Sequence, residues 1–339
     1  MHIIVLNYEF PPVGGGAANA CFFILREFMR FPDLRVTLLT SSIGAARTEQ
    51  FAPNIEIRYL NVGGLKNLRY QPLSKLLRFA WASFWEHRKL ERDADLIHAF
   101  FGIPSGFTAM FGSLPFVVSL RGSDVPLFNP RFYWLDRLLF RGLSRRIWRK
   151  SECTVANSEG LRQLALKSAN TQAIGVIPNG VDTAYFRPCE KLATSEMLRI
   201  VSVGRLIPRK GFDRLIRATQ GLPNVQLQIA GGGVLADELG ILAQKLGVNL
   251  HLWGQLDRDA LRDCLAEADV FVLASSNEGM SNAVLEAMAS GLPLILSDVG
   301  GTSELIADNG FVVPSDSIEA LREKIEIYRR DADLRRMHG

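Results

Sequence analysis

Short apolar segments that lead into glycine-containing loops and then into helical patterns recur along the chain. The first segment, residues 2–7, is followed by the loop 11–16, a helical pattern over 17–30 and a strand pattern over 36–40. A strand, a loop, a helix and a strand at this spacing form a βαβ unit, which requires a parallel sheet with a right-handed crossover. The alternation continues with strand patterns at 95–99, 116–119 and 154–156.

A second series of the same kind begins at residues 199–203, after a linker-like region at 178–188. It predicts helices at 213–219 and 235–246 and further strands at 225–230, 250–253, 270–273 and 293–297. The length of 339 residues also agrees with two domains. We therefore predict an α/β protein with two doubly wound, Rossmann-like domains, residues 1–186 and 187–339, facing across a ligand-binding cleft.

Composition indicates an ordinary globular chain, with 47% hydrophobic and 22% charged residues. The four cysteines are scattered singly, which favours buried thiols in a reducing compartment over a disulfide or zinc framework. The N-terminus lacks a signal-peptide pattern, and no apolar run approaches the ~18 residues of a membrane span. We expect the protein to act in the cytoplasm.

Charge is distributed unevenly between the predicted domains. Residues 1–186 contain 22 lysines and arginines against 14 acidic residues, whereas residues 187–339 contain 17 against 21. The segment 131–150 mixes arginines with aromatic residues, which suits either an anionic membrane surface or a solvated helix. We favour peripheral contact with the inner face of the membrane, and we expect no nucleic-acid partner because no recognisable binding module is present.

Glu278 and Glu286 flank the predicted start of a helix that follows the strand at 270–273. Such a helix start presents backbone N–H groups and a partial positive charge to an anion. Glu286 lies in an apolar stretch, where an unpaired charge is costly, so a solvated helix face explains it poorly. The pattern favours a site in which a diphosphate lies between the two carboxylates.

Arg205 and Lys210 lie on the loop that follows the strand at 199–203. At the end of a strand, these two cations are well placed to clamp the phosphates of a leaving nucleotide. Such a clamp does the work of a divalent metal, so we expect neither a metal nor another cofactor.

Four motifs in order resemble those of retaining family 4 glycosyltransferases. They are the spacing of Glu278 and Glu286, Val-Gly-Arg-Leu-x-x-x-Lys-Gly at 203–211, Ile-Pro-Asn-Gly-Val-Asp at 177–182 and Gly-Gly-Thr-Ser-Glu at 300–304. The resemblance spans nearly the whole chain and implies the GT-B fold. It also implies retaining transfer of a hexose from a nucleoside-diphosphate sugar to a saccharide or lipid-linked acceptor, as in cell-surface polysaccharide synthesis.

The same resemblance implies a role for each site residue. Glu278 contacts the donor sugar, Glu286 holds the ribose, and Arg205 and Lys210 bind the diphosphate. The other implied donor contacts are His98, Gly15, Gly16, Met280, Ser281 and Asn282.

Arg121 and Asp124 are implied on the acceptor side. Arg121 stands where related enzymes often have a histidine, which suggests a charged acceptor or a phosphate.

Two other functions remain open at this stage. A nucleotide-sugar epimerase on the same fold would need a donor but no acceptor, and a non-catalytic module would bind a nucleotide or polyanion without turnover.

Overall fold

The computed structural model describes residues 1–65, 68, 71–128, 134, 136–189 and 197–339, and all of residue 137 but its side chain. The described residues form two compact units, Met1–Asn179 and Gly180–Gly339. The boundary predicted from the sequence, after residue 186, lies a few residues further along the chain. Phe186 accounts for this difference, because it is buried with Val201 and Phe271 in a core of the second unit.

The first unit contains an eight-stranded sheet in the order β3-β4-β2-β1-β5-β6-β7-β8, parallel except for β3 against β4. Its first strand is buried along its whole length, as expected for a parallel strand covered on both faces. The strands are β1 (His2–Leu6), β2 (Arg35–Ser41), β3 (Arg47–Ala52), β4 (Ile55–Leu60), β5 (Leu96–Phe100), β6 (Phe116–Leu120), β7 (Cys153–Ala156) and β8 (Gly175–Val176).

The helices of the first unit connect these strands. Ser158 caps the last of them by accepting a hydrogen bond from the backbone N–H of Leu161. The helices are α1 (Gly16–Phe28), α2 (Leu73–Leu90), α3 (Phe107–Ala109), α4 (Arg141–Lys150) and α5 (Glu159–Leu166), with shorter helical turns at Glu91–Asp93, Gly102–Gly106 and Asp136–Phe140.

The second unit contains a six-stranded, fully parallel sheet in the order β11-β10-β9-β12-β13-β14. Its strands are β9 (Leu198–Val203), β10 (Val225–Ala230), β11 (Leu250–Gly254), β12 (Val270–Leu273), β13 (Leu294–Ser297) and β14 (Gly310–Val313). Its helices are α6 (Phe212–Thr219), α7 (Ala236–Leu246), α8 (Arg258–Glu267), α9 (Asn282–Ala289), α10 (Ile318–Arg330) and α11 (Ala332–His338).

Both sheets are doubly wound, as predicted. The strand order reverses between β1 and β5 in the first unit and between β9 and β12 in the second. In open α/β sheets, ligands bind beside such a reversal, at the carboxyl ends of the strands. The predicted cleft between the units depends on their relative placement and stays a prediction.

Two expectations drawn from composition have different outcomes. Cys21 and Cys264 are buried, but Cys153 and Cys189 are exposed, so the prediction of four buried thiols was wrong for two of them. Within the part of the chain described above, no helix is both long and apolar enough to cross a bilayer.

Candidate active site

Two loops meet where the strand order of the second unit reverses. One follows β9 and carries Arg205 and Lys210, and the other follows β12 and carries Glu278. The backbone N–H of Ser276 donates to the carbonyl of Arg209 at 2.8 Å, which joins the loops directly. Gly211 makes this approach possible, because its φ is +64° and a Cβ there would lie 2.1 Å from the carbonyl oxygen of Ala274.

Lys210 and Glu278 form an ion pair between the two loops. Lys210 Nζ lies 2.5 Å from Glu278 Oε1, and the side chains are only 12% and 9% exposed. The hydroxyl of Ser275 donates to the same carboxylate oxygen at 2.7 Å. The sequence indicated both charged residues, but not their contact, nor the part of Ser275.

The carboxyl group of Glu278 is held in its ionised form. Burial by itself would raise its pKa, but the charge and hydrogen bond of Lys210, the hydroxyl of Ser275 and the charge of Arg209 together lower the pKa below its usual value. The same site lowers the pKa of the Arg209 guanidinium, first through burial and then through the charge of Arg205, against the opposing effect of Glu278. Lys210 and Arg209 therefore both act on this carboxylate, and Arg205 acts on Arg209.

Arg209 is the one cation of the loop after β9 that was not identified from the sequence. It lies between Arg205 and Lys210 in the loop after β9, and it is half-buried. The available signal was the number of basic residues in the loop, three within six positions. With Arg209 included, the cluster has an excess of positive charge, which is the requirement for binding an anion.

The motif at 300–304 supports the backbone beneath Glu278. Gly300 has φ of +56°, and a Cβ there would lie 1.8 Å from the carbonyl oxygen of Glu278. The N–H of Gly301 donates to the carbonyl of Gly279 at 3.1 Å, and Thr302 hydrogen-bonds the loop after β13 through its hydroxyl. This motif therefore supports the backbone at Glu278 and Gly279.

Helix α9 begins directly after this loop, with Ser281 as its N-cap residue. Ser281 makes no side-chain capping hydrogen bond, and Met280 and Ser281 are both buried. Asn282 is the first helical residue. The first turn of α9 contains no acidic side chain. The partial positive charge at this end of the helix is therefore suited to binding an external anion.

Glu286 lies further along α9, in surroundings unlike those of Glu278. Burial raises the pKa of its carboxyl group to about 7, and the charge of Arg258 lowers it only in part. The two carboxyl groups identified from the sequence are therefore shifted in opposite directions, because Glu278 faces close cations and Glu286 is mainly desolvated.

In the first unit, His98 and Arg121 both lie near the ring of Phe100. His98 hydrogen-bonds the hydroxyl of Ser119 at 2.8 Å, and its ring centre is 4.7 Å from that of Phe100. The guanidinium of Arg121 lies 4.4 Å from the Phe100 ring and donates to Asn179 at 2.9 Å. Burial, with the charge of Arg121, lowers the pKa of His98 to about 3, so its imidazole is neutral.

Asp124 organises the backbone of this region. It accepts hydrogen bonds from the N–H groups of Gly102, Arg121 and Gly122, at 2.7, 3.0 and 3.1 Å. Burial raises its pKa, and these bonds partly counter the effect. Its predicted contact with an acceptor therefore stays a prediction, because both oxygens already hold the loop.

The glycine loop of the first unit leads into α1. The N–H of Gly15 points to the carboxylate of Glu9 at 3.4 Å, and Gly16 is the first helical residue. Their predicted approach to the donor phosphate involves the other unit and stays a prediction.

The basic and aromatic segment 131–150 contains both buried and exposed side chains. Residues 131–133 and 135 lie outside the described residues. Trp148 is fully buried, and Arg141, Arg145 and Lys150 donate to the carbonyls of Lys167, Ser168 and Met110. These four side chains stabilise the unit itself, whereas Trp134, Leu138 and Leu139 are exposed, so the predicted membrane contact of this segment stays a prediction.

The chain is similar to known glycosyltransferases in sequence. Residues 14–185 match the family model described as Glycosyltransferase Family 4, and residues 190–339 match Glycosyl transferases group 1. A Bacillus subtilis protein named as a teichuronic acid biosynthesis glycosyltransferase, TuaC, is 32% identical over 253 residues, covering 70% of this chain and 62% of its own. The Rhizobium meliloti lipopolysaccharide core biosynthesis glycosyltransferase LpsE is 33% identical over 193 residues, covering 56% and 57%. The chain thus spans about three fifths of these relatives.

Solved structures show the same fold at low sequence identity. Sucrose-phosphate synthase from Thermosynechococcus elongatus superposes with a TM-score of 0.85 at 21% identity, covering 100% of this chain and 92% of its own. Anabaena HepE in complex with UDP and glucose has a TM-score of 0.76 at 20% identity, with the same coverage. The two Rossmann-like units are those of the GT-B fold, and the chain belongs to glycosyltransferase family 4.

Proposed function

We propose that this protein transfers a sugar from a nucleoside-diphosphate sugar to a saccharide or lipid-linked acceptor, with retention of configuration and without a metal ion. The observation that carries the proposal is the basic loop of Arg205, Arg209 and Lys210, in which Lys210 pairs with Glu278 and Arg209 also acts on its carboxylate. It lies at the strand reversal of the second unit, where an open α/β sheet binds its ligand. The resemblance of HepE, whose structure contains UDP and glucose, supports the choice of donor class.

The cation cluster supplies what a diphosphate needs. A lysine ammonium has three N–H donors, so Lys210 can keep its bond to Glu278 and still donate to a phosphate oxygen. The arginines add charge-assisted hydrogen bonds, and the N-terminus of α9 adds backbone N–H groups. Negative charge that develops on the leaving diphosphate is then stabilised by groups already in place, which is the role a divalent metal would otherwise have.

Glu278 acts on the sugar in this mechanism. Its carboxylate is ionised and fixed by Lys210 and Ser275, so it accepts hydrogen bonds from sugar hydroxyls and stabilises positive charge at the anomeric carbon. The bond from that carbon to the β-phosphate oxygen breaks while the bond to the acceptor oxygen forms on the same face. The acceptor proton passes to the leaving phosphate oxygen, so no enzyme nucleophile is needed.

The remaining site residues bind and orient the donor and the acceptor. Glu286 accepts hydrogen bonds from the ribose hydroxyls when its carboxyl group is ionised. His98, as a neutral imidazole, donates to a sugar hydroxyl, and Arg121 meets a negatively charged acceptor. The relatives TuaC and LpsE favour an acceptor from cell-surface polysaccharide assembly.

The proposal is tested by the release of nucleoside diphosphate from a panel of UDP-, GDP- and ADP-sugars. Wild type is compared with Lys210→Ala and Glu278→Gln, and with the matched controls Lys245→Ala and Glu238→Gln, which change exposed side chains on α7. We expect release from one donor, lost in both site variants and kept in both controls. Nucleotide binding without release, even with saccharide and lipid-linked acceptors present, would instead indicate a binding module.

Product analysis separates transfer from the other open function. Transfer yields a new glycosidic bond, whose anomeric configuration by NMR reports retention, and it should continue in the presence of EDTA. A changed sugar configuration on an intact nucleotide would instead indicate an epimerase.

A further inference from the structure

Helix α2 carries an exposed apolar stripe that the proposed chemistry does not use. Leu73, Leu77, Trp81 and Trp85 follow one another at intervals of four residues, so they lie on one side of the helix. These side chains are 65%, 62%, 70% and 54% exposed. The opposite side, with Phe79 and Leu90, is buried in the core of the first unit.

This stripe is unusual for a protein surface. Single exposed apolar side chains are common, but a contiguous row that includes two tryptophans marks an interaction site. From Leu73 to Trp85 the row is about 18 Å long, given the rise of an α-helix. It is the outer, convex side of a helix, so it suits a flat surface better than it suits a peptide or a small ligand.

Charge next to the stripe indicates what covers it. Helix α2 contains Lys75, Arg78, Arg88 and Lys89 against one acidic residue, Glu86. Arg78, Arg88 and Lys89 are exposed beside the tryptophans. Arg88 pairs with Glu91 and Lys89 with Glu86, but the whole region 1–186 retains an excess of eight positive charges. An anionic surface is therefore complementary to this face, whereas a second copy packed face to face would oppose the same positive charges.

We propose that α2 lies on the surface of an anionic phospholipid bilayer, with Trp81 and Trp85 in the interfacial region and Arg78, Arg88 and Lys89 at the headgroups. Tryptophan is favoured at this depth because its ring is apolar and its N–H remains hydrogen-bonded. Apolar burial and attraction to anionic lipids then act together, as in other interfacial helices. This contact surface lies outside segment 131–150, and it does not depend on the donor chemistry at Lys210 and Glu278.

The test is flotation of the full chain with vesicles of phosphatidylcholine alone or mixed equally with phosphatidylglycerol. We expect binding to the mixed vesicles only. The double variant Trp81→Ala/Trp85→Ala should lower this binding by about tenfold or more, from the loss of apolar burial. Arg78→Gln/Lys89→Gln should lower it about fivefold for each charge removed.

Two controls locate the contact. Trp134→Ala removes a tryptophan that is 71% exposed in segment 131–150, and it should leave binding unchanged. Trp81→Phe/Trp85→Phe keeps the apolar stripe, so it should still bind, while quenching of tryptophan fluorescence by brominated lipid falls.

Three outcomes would overturn the proposal. The first is binding that does not depend on anionic lipid. The second is binding that Trp134→Ala abolishes but Trp81→Ala/Trp85→Ala does not. The third is self-association in sedimentation that Trp81→Ala/Trp85→Ala abolishes. The last would identify a second copy of the chain as the partner of α2. Donor turnover measured without lipid is a separate readout, so failure here would leave the proposed function standing.

Discussion

The two units share a strand topology but differ in the electrostatics at the point where the strand order reverses. In the second unit, Lys210 and Arg209 hold a carboxylate in its ionised form, and the ion pair of Lys210 and Glu278 joins the loops after β9 and β12. In the first unit, His98 is neutral and Arg121 rests on the ring of Phe100. The topology therefore provides an equivalent binding location in each unit, and the side chains at that location determine which ligand it suits.

The largest expected effect tests the assignment of the diphosphate to the second unit. Lys210→Ala should lower kcat by about a hundred- to a thousandfold, because a preorganised donor to the developing charge is lost. Steady-state donor turnover measures this effect, with Lys245→Ala as the control. A loss confined to KM would mean that Lys210 binds ground and transition states equally.

The next prediction concerns stability in the same cluster. Glu278→Gln should lower the free energy of unfolding by about 3 kcal/mol, because it leaves buried cations without their carboxylate. Thermal or denaturant unfolding without ligand measures the change, and Glu238→Gln should leave stability near that of wild type. If a nucleoside diphosphate then stabilises Glu278→Gln less than it stabilises wild type, the excess positive charge is not what binds the nucleotide.

A pH dependence should distinguish Glu286 from Glu278. With the pKa of Glu286 at about 7, lowering the pH protonates the carboxyl group that accepts the ribose hydroxyls. Nucleotide affinity should fall about tenfold between about pH 8 and about pH 6. Calorimetric titration checks this, and Glu286→Gln should bind weakly with little pH dependence.

The same shift has a consequence for the stability of the free protein. A raised pKa means that the contribution of Glu286 to stability is fully present below its unfolded value of about 4.5 and is lost as the pH rises through about 7. Glu286→Gln should therefore unfold at a higher temperature than wild type at mildly alkaline pH, and the gain should shrink on acidification. If the unfolding temperature rises by the same amount at every pH, ionisation of the Glu286 carboxyl group is not the cause.

The smallest effect is expected at the neutral site of the first unit. His98→Asn should lower kcat/KM about fivefold, the cost of one neutral hydrogen bond. Because the pKa of His98 is about 3, the reduction should be the same from mildly acidic to alkaline pH. A reduction that varies with pH near neutrality would show that the imidazole titrates during the reaction, and the contrast between the units would then be wrong.

Sequence reasoning succeeded where the local pattern and the tertiary environment agree. The predicted strands at 225–230 and 270–273 coincide with β10 and β12, and the helix predicted over 235–246 is α7 within one residue. β12 is apolar and buried along its whole length, as expected for a parallel strand whose sheet is covered on both faces.

Two elements that were not predicted, β3 and α2, have exposed residues that mask the usual hydrophobic periodicity. β3 lies at a sheet edge, where Arg47–Gln50 are exposed and polar. Helix α2 is apolar on its outer side as well as its inner side, with charged residues beside the outer stripe, so its sequence does not divide into one apolar and one polar face. In segment 131–150, likewise, arginines bonded to carbonyls and a buried tryptophan look the same in a sequence as exposed ones, so the sequence pattern does not separate the two groups.

Apolar periodicity and loop chemistry along the chain were sufficient to determine two Rossmann-like units and to indicate Arg205, Lys210, Glu278 and Glu286 as site residues. Only the tertiary structure decided how those residues act on one another. Lys210 and Glu278 are 68 positions apart in the chain, and they meet because β9 and β12 are neighbours in the sheet. The opposite pKa shifts of Glu278 and Glu286 follow from that packing, since burial and the distance to a cation are properties of the folded chain and not of the residue type.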